Sequence, residues 1–430
     1  MSEKPSGKKP SRALAAGFIR VLGVALIRLV YRIRTVHPGR VPEQGGVLLL
    51  PNHVTFADAF FISAACPRPV RFVMDEAFTA KASIRIFTGI FETMTIRRDQ
   101  PLEAIREIIR ALKQGDAVCL FPEGQLTRTG TLCVLQRGFE LIARKAGAHP
   151  IIPMWVDGSW GSIFSFERNC FFRKIPHRLD HGITVSYGSA IDPEEINATT
   201  LREGMLAASS AALAGRFSGR GWAKRTPLAK NPATKAFRAL DRETRLRMWA
   251  NGHQIGMINA IPRHQPFNVL AGDPVLTELP GLFAAFPDLF HSPPRFRDAF
   301  DGDHDGVWVG GDFLRSHIQT SQITRQIVFY DLGTRVMKPV ERAGLCHCPC
   351  LAVSGAVIAM SMPHPPESKD NFEPQHGHKP RSWGKPLPGW HFVKRPADGV
   401  IHAHGPAAPE SGLPLPPKCR FDDEGFLLQM

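Results

Sequence analysis

The stretch GGVLLLPNHVTFADAF, residues 45–60, runs Val47–Leu50 as an unbroken apolar segment and then changes character at Pro51. Four apolar residues bounded by glycine and proline have the length of a buried strand. At its exit stand Asn52, His53 and, five residues after the histidine, Asp58. One reading is a strand ending in a turn, with a surface histidine and an aspartate capping the next helix. The other is a working His/Asp pair, because imidazole accepts a proton near neutrality while a carboxylate on its second nitrogen fixes the tautomer and steadies the imidazolium. A straight helix would carry Asp58 roughly 140° around from His53. The pair therefore requires a turn after Asn52.

Outward from this stretch, short apolar runs alternate with helical patterns. DAFFISAAC (58–66) reads as a helix, VRFVM (70–74) as a strand and AFTAKASIRIFTGIF (77–91) as a second helix. PLEAIREIIRALKQG (101–115) sets Leu102, Ile105, Ile108, Ile109 and Leu112 at helical spacing, with Pro101 at its start and Gly115 past its end. AVCLF (117–121) and IIPMW (151–155) follow as buried strands. The expectation is an α/β domain over residues 36–200, a mixed sheet flanked by helices.

The chain has 430 residues, 43% of them hydrophobic and 21% charged, which is a globular composition. Its net charge of +14 and pI near 9.7 imply an anionic partner: nucleic acid, a phospholipid surface or a phosphorylated substrate. No helix-turn-helix, zinc-finger or ribonucleoprotein signature is present, and the basic runs lack interleaved aromatics, so nucleic acid is set aside. Eight cysteines in a chain of this length do not make a disulfide framework, and a reducing compartment fits them. The run CHCPC (346–350) has one-residue gaps, too tight for the usual ligand spacing, so no metal site is expected.

The polar, basic opening MSEKPSGKKPSR is expected to be disordered. From Ala13 to Ile33 the chain is apolar but broken by Arg20, Arg28 and Arg32. Carrying an arginine through hydrocarbon costs about 2.5 to 3.5 kcal/mol near the centre of a span, so no transmembrane helix is expected. Arg20 also interrupts the apolar run that a cleaved leader would need. On a helical wheel Phe18, Leu22, Leu26, Leu29 and Ile33 share one face with the arginines off it, the pattern of an amphipathic helix lying in a membrane surface. The same face could instead dock on the protein's own core.

Three further segments fall near element ends. TMTIRRDQP (93–101) places Arg97 and Arg98 after a short β-like run, FPEGQLTRTG (121–130) sets Glu123, Gly124 and Arg128 at a strand exit, and HPIIPMWVDGSWG (149–161) carries Pro153. Groups gathered at strand ends line the crevice of α/β sheets. In this order NHVTFAD, TIRR, FPEG and IIPM resemble the four motif blocks of the glycerophospholipid acyltransferases, over roughly residues 20–195. LFPEGQLTRTGTL (120–132), with QPLEAIREII before it, is most similar to the bacterial 2-acylglycerophosphoethanolamine acyltransferases. One departure is Glu92, where the second block normally opens with glycine.

The resemblance implies an acyltransferase-type fold and transfer of a fatty acyl group from a thioester, acyl-CoA or acyl-carrier protein, to the free hydroxyl of a lysophospholipid such as lysophosphatidate or 2-acylglycerophosphoethanolamine. His53 would be the base and Asp58 its orienting acid. Asn52, Arg97, Arg98, Glu123, Gly124, Arg128 and Pro153 would line the substrate site. Arg98, seconded by Arg97, would grip the acceptor phosphate. Glu123 would accept from a glycerol hydroxyl or pin Arg98, and the Gly124 amide would approach the substrate closely. Backbone amides near Asn52 would serve as oxyanion donors. No serine or cysteine stands where a nucleophile would, so the lysolipid hydroxyl would attack directly without an acyl-enzyme. No cofactor is called for beyond the thioester co-substrate. The expected partners are the lysolipid, the thioester, an anionic membrane surface and acyl-carrier protein. The expected location is the cytoplasmic face of the inner membrane, peripheral or monotopic.

Residues 216–247 are rich in Arg and Lys, opposed only by Asp241 and Glu243, and residues 362–381 read as loop. SWGKPLPGWHFV (382–393), GVIHAHGP (399–406) and FDDEGFLL (421–428), with VWVGGDFL (307–314) before them, occur in the order seen in adenylate-forming enzymes. That family's Ser/Thr/Gly-rich phosphate loop is missing, GLCHCPCLAVSG (344–355) replaces its Gly-Tyr-Gly-x-Thr-Glu, Pro417 replaces its ribose-binding aspartate, and the sequence reaches Met430 ahead of its lysine-bearing terminal subdomain. The expected organisation is a basic tail and amphipathic helix (1–35), an acyltransferase domain (36–200), a basic helical linker (201–255) and a less regular α+β, degenerate AMP-binding-like domain (256–430). Two alternatives stay open: a bifunctional acyl-activating ligase and acyltransferase, and a non-catalytic basic membrane-binding protein.

Overall fold

A computed structural model describes residues 31–76, 93–97, 100–147, 149–167, 182–218, 232–241, 244–250, 267–270, 295–297, 306–311, 327–334, 343–367 and 373–430, with Ala25, Arg28, Ile318 and Ile323 besides. The first sheet has seven strands: β1 (Arg32–Val36), β2 (Val47–Pro51), β3 (Val70–Asp75), β4 (Met94–Ile96), β5 (Ala117–Cys119), β6 (Ile151–Asp157) and β7 (Gly182–Tyr187). Their spatial order is β1-β7-β6-β2-β5-β3-β4, and every neighbouring pair is parallel except β6–β7. β2 is buried along its whole length. A continuous apolar run is what a strand covered on both faces requires.

Its alternate residues sort between two cores. Leu48 and Leu50 face a cluster with α2 (Pro101–Lys113), α3 (Gly138–Ala146) and α4 (Ala198–Ser218), through Ile108, Leu112, Phe139, Ile142, Leu201 and Met205. Val47 and Leu49 face the other cluster, where α1 (Asp58–Ala65) contributes Phe61 and Ile62 against Phe72, Met154 and Tyr187. Pro101 occupies the first turn of α2, where its missing N–H is no loss. Leu102, expected on the core face of that helix, is 60% exposed, because the stripe that reaches the sheet begins one turn later.

Near the N-terminus one residue expected on a helix lies in a strand. Ile33, expected on a helix, lies in β1 and pairs with Ile183 of β7. Arg28 donates both Nε and a terminal guanidinium nitrogen to the Ala64 carbonyl at the end of α1, at 3.0 Å from Nε. A cation there meets the negative pole of the helix and an otherwise unpaired carbonyl. Phe18, Leu22, Leu26 and Leu29 lie outside the described residues, as do Arg20, the 77–91 segment, Glu92 and Arg98. Among the described residues no helix is long and apolar enough to cross a membrane.

The C-terminal half is more regular than expected. β8 (Phe267–Leu270), β9 (Arg295–Arg297), β10 (Gly306–Gly310), β11 (Ile327–Gly333), β12 (Leu345–Val353), β13 (Ala356–Met360) and β14 (Lys385–Pro386) form a second seven-stranded sheet in the order β14-β13-β12-β11-β10-β8-β9. The CHCPC run lies within β12, and no group of three metal-binding side chains occurs among the described residues. A three-stranded sheet, β15 (His391–Lys394), β16 (Ile401–His404) and β17 (Leu413–Pro414), and a hairpin, β18 (Cys419–Phe421) and β19 (Leu427–Gln429), complete it.

Residues 201–218 belong to α4 and pack on β6 and β7, so this part of the expected linker is core. α4 also binds the two halves together. Leu206 and Leu213 join the same apolar cluster as Trp383, Leu387 and Trp390. Ser209 Oγ accepts the Gly389 amide at 3.0 Å, and a side chain at Gly389 would lie 2.4 Å from Leu213.

Candidate active site

The site begins where β2 ends. The chain turns after Asn52, and α1 starts at Asp58, which brings the carboxylate back to the imidazole: His53 Nδ1 lies 3.1 Å from Asp58 Oδ2. The Asp58 side chain is fully buried and its charge is met from four directions. Oδ2 also accepts the Val54 and Thr55 amides at 2.7 and 2.9 Å, and Oδ1 accepts Thr55 Oγ1 at 2.6 Å. A carboxylate so held is acceptor-only, so Nδ1 carries the proton and Nε2 is left as the basic nitrogen. The His53 side chain is 21% exposed and its ring stacks on Phe121 at 3.9 Å between centroids.

Parallel pairing explains the second half of the site. β5 lies beside β2, with Leu49 opposite Cys119, so the loop that leaves β5 meets the loop that leaves β2. Glu123 in that loop is 1% exposed. Its Oε1 accepts the His53 amide at 2.6 Å and its Oε2 accepts the Cys133 amide at 2.7 Å. Burial pushes its carboxyl above the ordinary range, while the Cys133 and His53 amides pull it back. The Thr127 amide donates to the His53 carbonyl at 2.8 Å. The backbone that carries the imidazole is thus fixed on both its N–H and its C=O.

The other expected site residues make the following contacts within the protein. Glu123 braces the His53 backbone, with one oxygen on the His53 amide and the other on the Cys133 amide. The amides of residues 53, 54 and 55 are spent on Glu123 and Asp58, which removes them as oxyanion donors. The Gly124 amide donates to the Phe121 carbonyl at 3.1 Å, and its φ of +64° marks a turn position that glycine suits. Asn52 is 2% exposed and bridges β2 to β6, accepting the Val156 amide at 2.7 Å and donating to the Val156 carbonyl at 3.3 Å. Pro153 is buried in β6, opposite Leu50. Arg128 donates to the Pro366 carbonyl at 2.7 Å and lies over the Phe166 ring at 4.6 Å. Arg97 is 53% exposed, with Nε 3.7 Å from Glu76.

Residues overlooked in the sequence include Thr55, which holds Asp58, and Phe121, which supports the imidazole. Thr55 sits inside the His-to-Asp gap and Phe121 directly precedes Pro-Glu-Gly, so both belong to the NHVTFAD and FPEG motifs. Cys133 meets Glu123 through its backbone amide as well as its thiol, and an amide leaves no trace in side-chain identity.

The family model described as Acyltransferase matches residues 32–157, the span that carries the imidazole, both carboxylates and their strands. A Mycoplasma pneumoniae protein described as "Probable 1-acyl-sn-glycerol-3-phosphate acyltransferase" is 26% identical over 195 residues, covering 43% of this chain and 68% of that protein. Among solved structures, the 1-acyl-sn-glycerophosphate acyltransferase PlsC of Thermotoga maritima aligns with 47% of this chain and 82% of its own at 16% identity and TM-score 0.37. MenE of E. coli, bound to an analogue, aligns with 43% of each chain at 10% identity and TM-score 0.30.

Proposed function

We propose that residues 32–157, which match the Acyltransferase family model, form an acyltransferase domain of the glycerophospholipid type, and that this enzyme acylates a lysophospholipid hydroxyl from acyl-CoA or acyl-carrier protein, with His53 as general base. The single observation that carries the reading is the His53–Asp58 contact at 3.1 Å with the imidazole partly exposed. Asp58 holds Nδ1 protonated, and Nε2 takes the proton of the acceptor hydroxyl as its oxygen attacks the thioester carbonyl. The tetrahedral adduct collapses, the C–S bond breaks, and the thiolate leaves with the proton from Nε2. An ester and a free thiol result, and Asp58 stays ionised throughout.

Arg98, with Arg97, is proposed to hold the acceptor phosphate. Both follow β4 in TIRR, and a bidentate guanidinium suits a phosphate monoester. The net charge of +14 favours an anionic bilayer surface, where the lysolipid resides. On this reading the enzyme works at the cytoplasmic face of the membrane as a peripheral protein.

The test is a panel of lysolipids offered with labelled acyl-CoA and, separately, labelled acyl-carrier protein, in mixed micelles. Formation of diacyl product from at least one acceptor supports the proposal. Absence of esterification across the panel contradicts it.

A further inference from the structure

The C-terminal half reaches into the acyltransferase site. Gln375 reads the loop after β5 like a neighbouring strand, its Oε1 accepting the Arg128 amide and its Nε2 donating to the Leu126 carbonyl, both at 2.8 Å. Glu373 accepts Gln136 Nε2 at 2.9 Å, and its carbonyl accepts Gln125 Nε2 at 3.3 Å. Behind them Lys385, at the start of β14, is 8% exposed and donates from Nζ to the Leu132 carbonyl at 3.1 Å. Its ammonium also lies 4.9 Å from the Phe426 ring.

Leu132 and Cys133 share a peptide bond. Lys385 grips the carbonyl of that bond and Glu123 accepts its N–H, while the other Glu123 oxygen accepts the His53 amide. We propose that Lys385 is a positioning residue for acyl transfer, set in place by the C-terminal half, which fixes the Leu132–Cys133 peptide and, through Glu123, the backbone of His53. The SWGKPLPGW stretch then serves the acyltransferase site, and the two halves form one catalytic unit.

The electrostatics agree with this geometry. A buried ammonium needs nearby negative charge, and a buried carboxylate needs positive charge. Burial pulls the Lys385 ammonium down, Cys133 and Glu123 from the loop after β5 and Glu424 beside β19 push it back, and Arg202 of α4 opposes them. Glu123 is faced by His53 and Cys133. A Coulomb interaction acts on both partners, so loss of the Lys385 charge leaves Glu123 easier to protonate. A protonated Glu123 presents an O–H to one of its two amides and releases the His53 backbone or the Cys133 peptide.

The inference rests on the acyl-transfer reading, and full-length K385M, K385Q, K385R and H53A separate the two. Methionine matches lysine in shape without charge, glutamine keeps a donor without charge, and arginine keeps the charge. K385M and K385Q are expected to lower kcat about 10- to 100-fold, with KM for both substrates little changed, and to move the acidic limb of the pH–kcat/KM profile to higher pH. K385R is expected to restore much of kcat and the limb. Wild-type kcat and limb in K385M, or in K385Q should K385M not fold, overturns the role of Lys385 while leaving acyl transfer intact. Equal losses in K385R and K385M with an unmoved limb overturn it too. An H53A enzyme as active as wild type would instead sink the acyl-transfer reading itself.

Discussion

Oδ2 of Asp58 accepts three hydrogen bonds at once, from His53 Nδ1 at 3.1 Å, the Val54 amide at 2.7 Å and the Thr55 amide at 2.9 Å. One buried oxygen therefore both shapes the turn and orients the base. Asp58→Asn must point either an NH2 or its single oxygen at these donors, and cannot satisfy all of them. Acyl transfer is expected to fall about 10²- to 10⁴-fold, with the melting temperature lowered as well. A variant with unchanged kcat would show that the pair is structural only.

Asn52 makes a paired contact with the backbone of Val156 across two neighbouring strands. Asn52→Leu leaves a buried N–H and C=O without partners at a cost of about 1 to 3 kcal/mol each at most. The enzyme is expected to melt several degrees lower in a thermal scan while KM for the lysolipid stays near wild type. A raised KM with unchanged stability would mean that Asn52 touches substrate.

How much of this was legible in the sequence depends on where the determining contacts lie. β2, α1, β3 and β6 were readable as short apolar runs and α2 by its helical spacing, and the His53–Asp58 pair was readable because both partners sit in one short segment. α4 was not: its buried face is built from Ala, Ser and Gly as much as from Leu and Met, which makes its apolar stripe faint. The C-terminal sheet was hidden for a related reason, since β12 carries Cys346, His347 and Pro349 among its residues and pairs in parallel with β11 on one side and antiparallel with β13 on the other. Glu123 was found through its motif, but its contacts to the His53 and Cys133 amides were not, because a carboxylate looks the same in sequence whatever backbone it meets. Lys385 carried no signal at all, since its contact with the Leu132 carbonyl exists only after both halves have folded.

Gly204 of α4 and Gly188 after β7 lie against the Pro153 ring. A Cβ at either would come 2.8 Å from Pro153 Cγ. Alanine is the better helix former by about 1 kcal/mol, yet Gly204→Ala is expected to destabilise, because overpacking a rigid ring costs about 1 to 3 kcal/mol. Equilibrium urea unfolding reads the sign. A gain in stability would mean that α4 can slide off β6 freely.

Histidines gather in the C-terminal half. His391 stacks on His404 at 5.5 Å between centroids, and His404 lies 6.4 Å from His402. Burial and then His404 hold His391 below its ordinary value; burial, His402 and Arg395 do the same to His404. A histidine lowered on folding binds its proton more readily when unfolded, so its contribution is present above the unfolded value of 6.5 and is lost as pH falls through the folded one. The melting temperature is expected to drop between about pH 7.5 and about pH 5.5, and His404→Gln should flatten that drop. Identical pH slopes in the two proteins would discount the cluster.

The most direct measurement is the steady-state rate of thioester-dependent lysolipid esterification by His53→Gln beside wild type, with circular dichroism spectra taken on the same samples. Glutamine keeps polarity and backbone but cannot take up the hydroxyl proton. A folded variant whose kcat has fallen at least about 10²-fold is the expected result. A folded variant that turns over at the wild-type rate would contradict the assignment of His53 as the base.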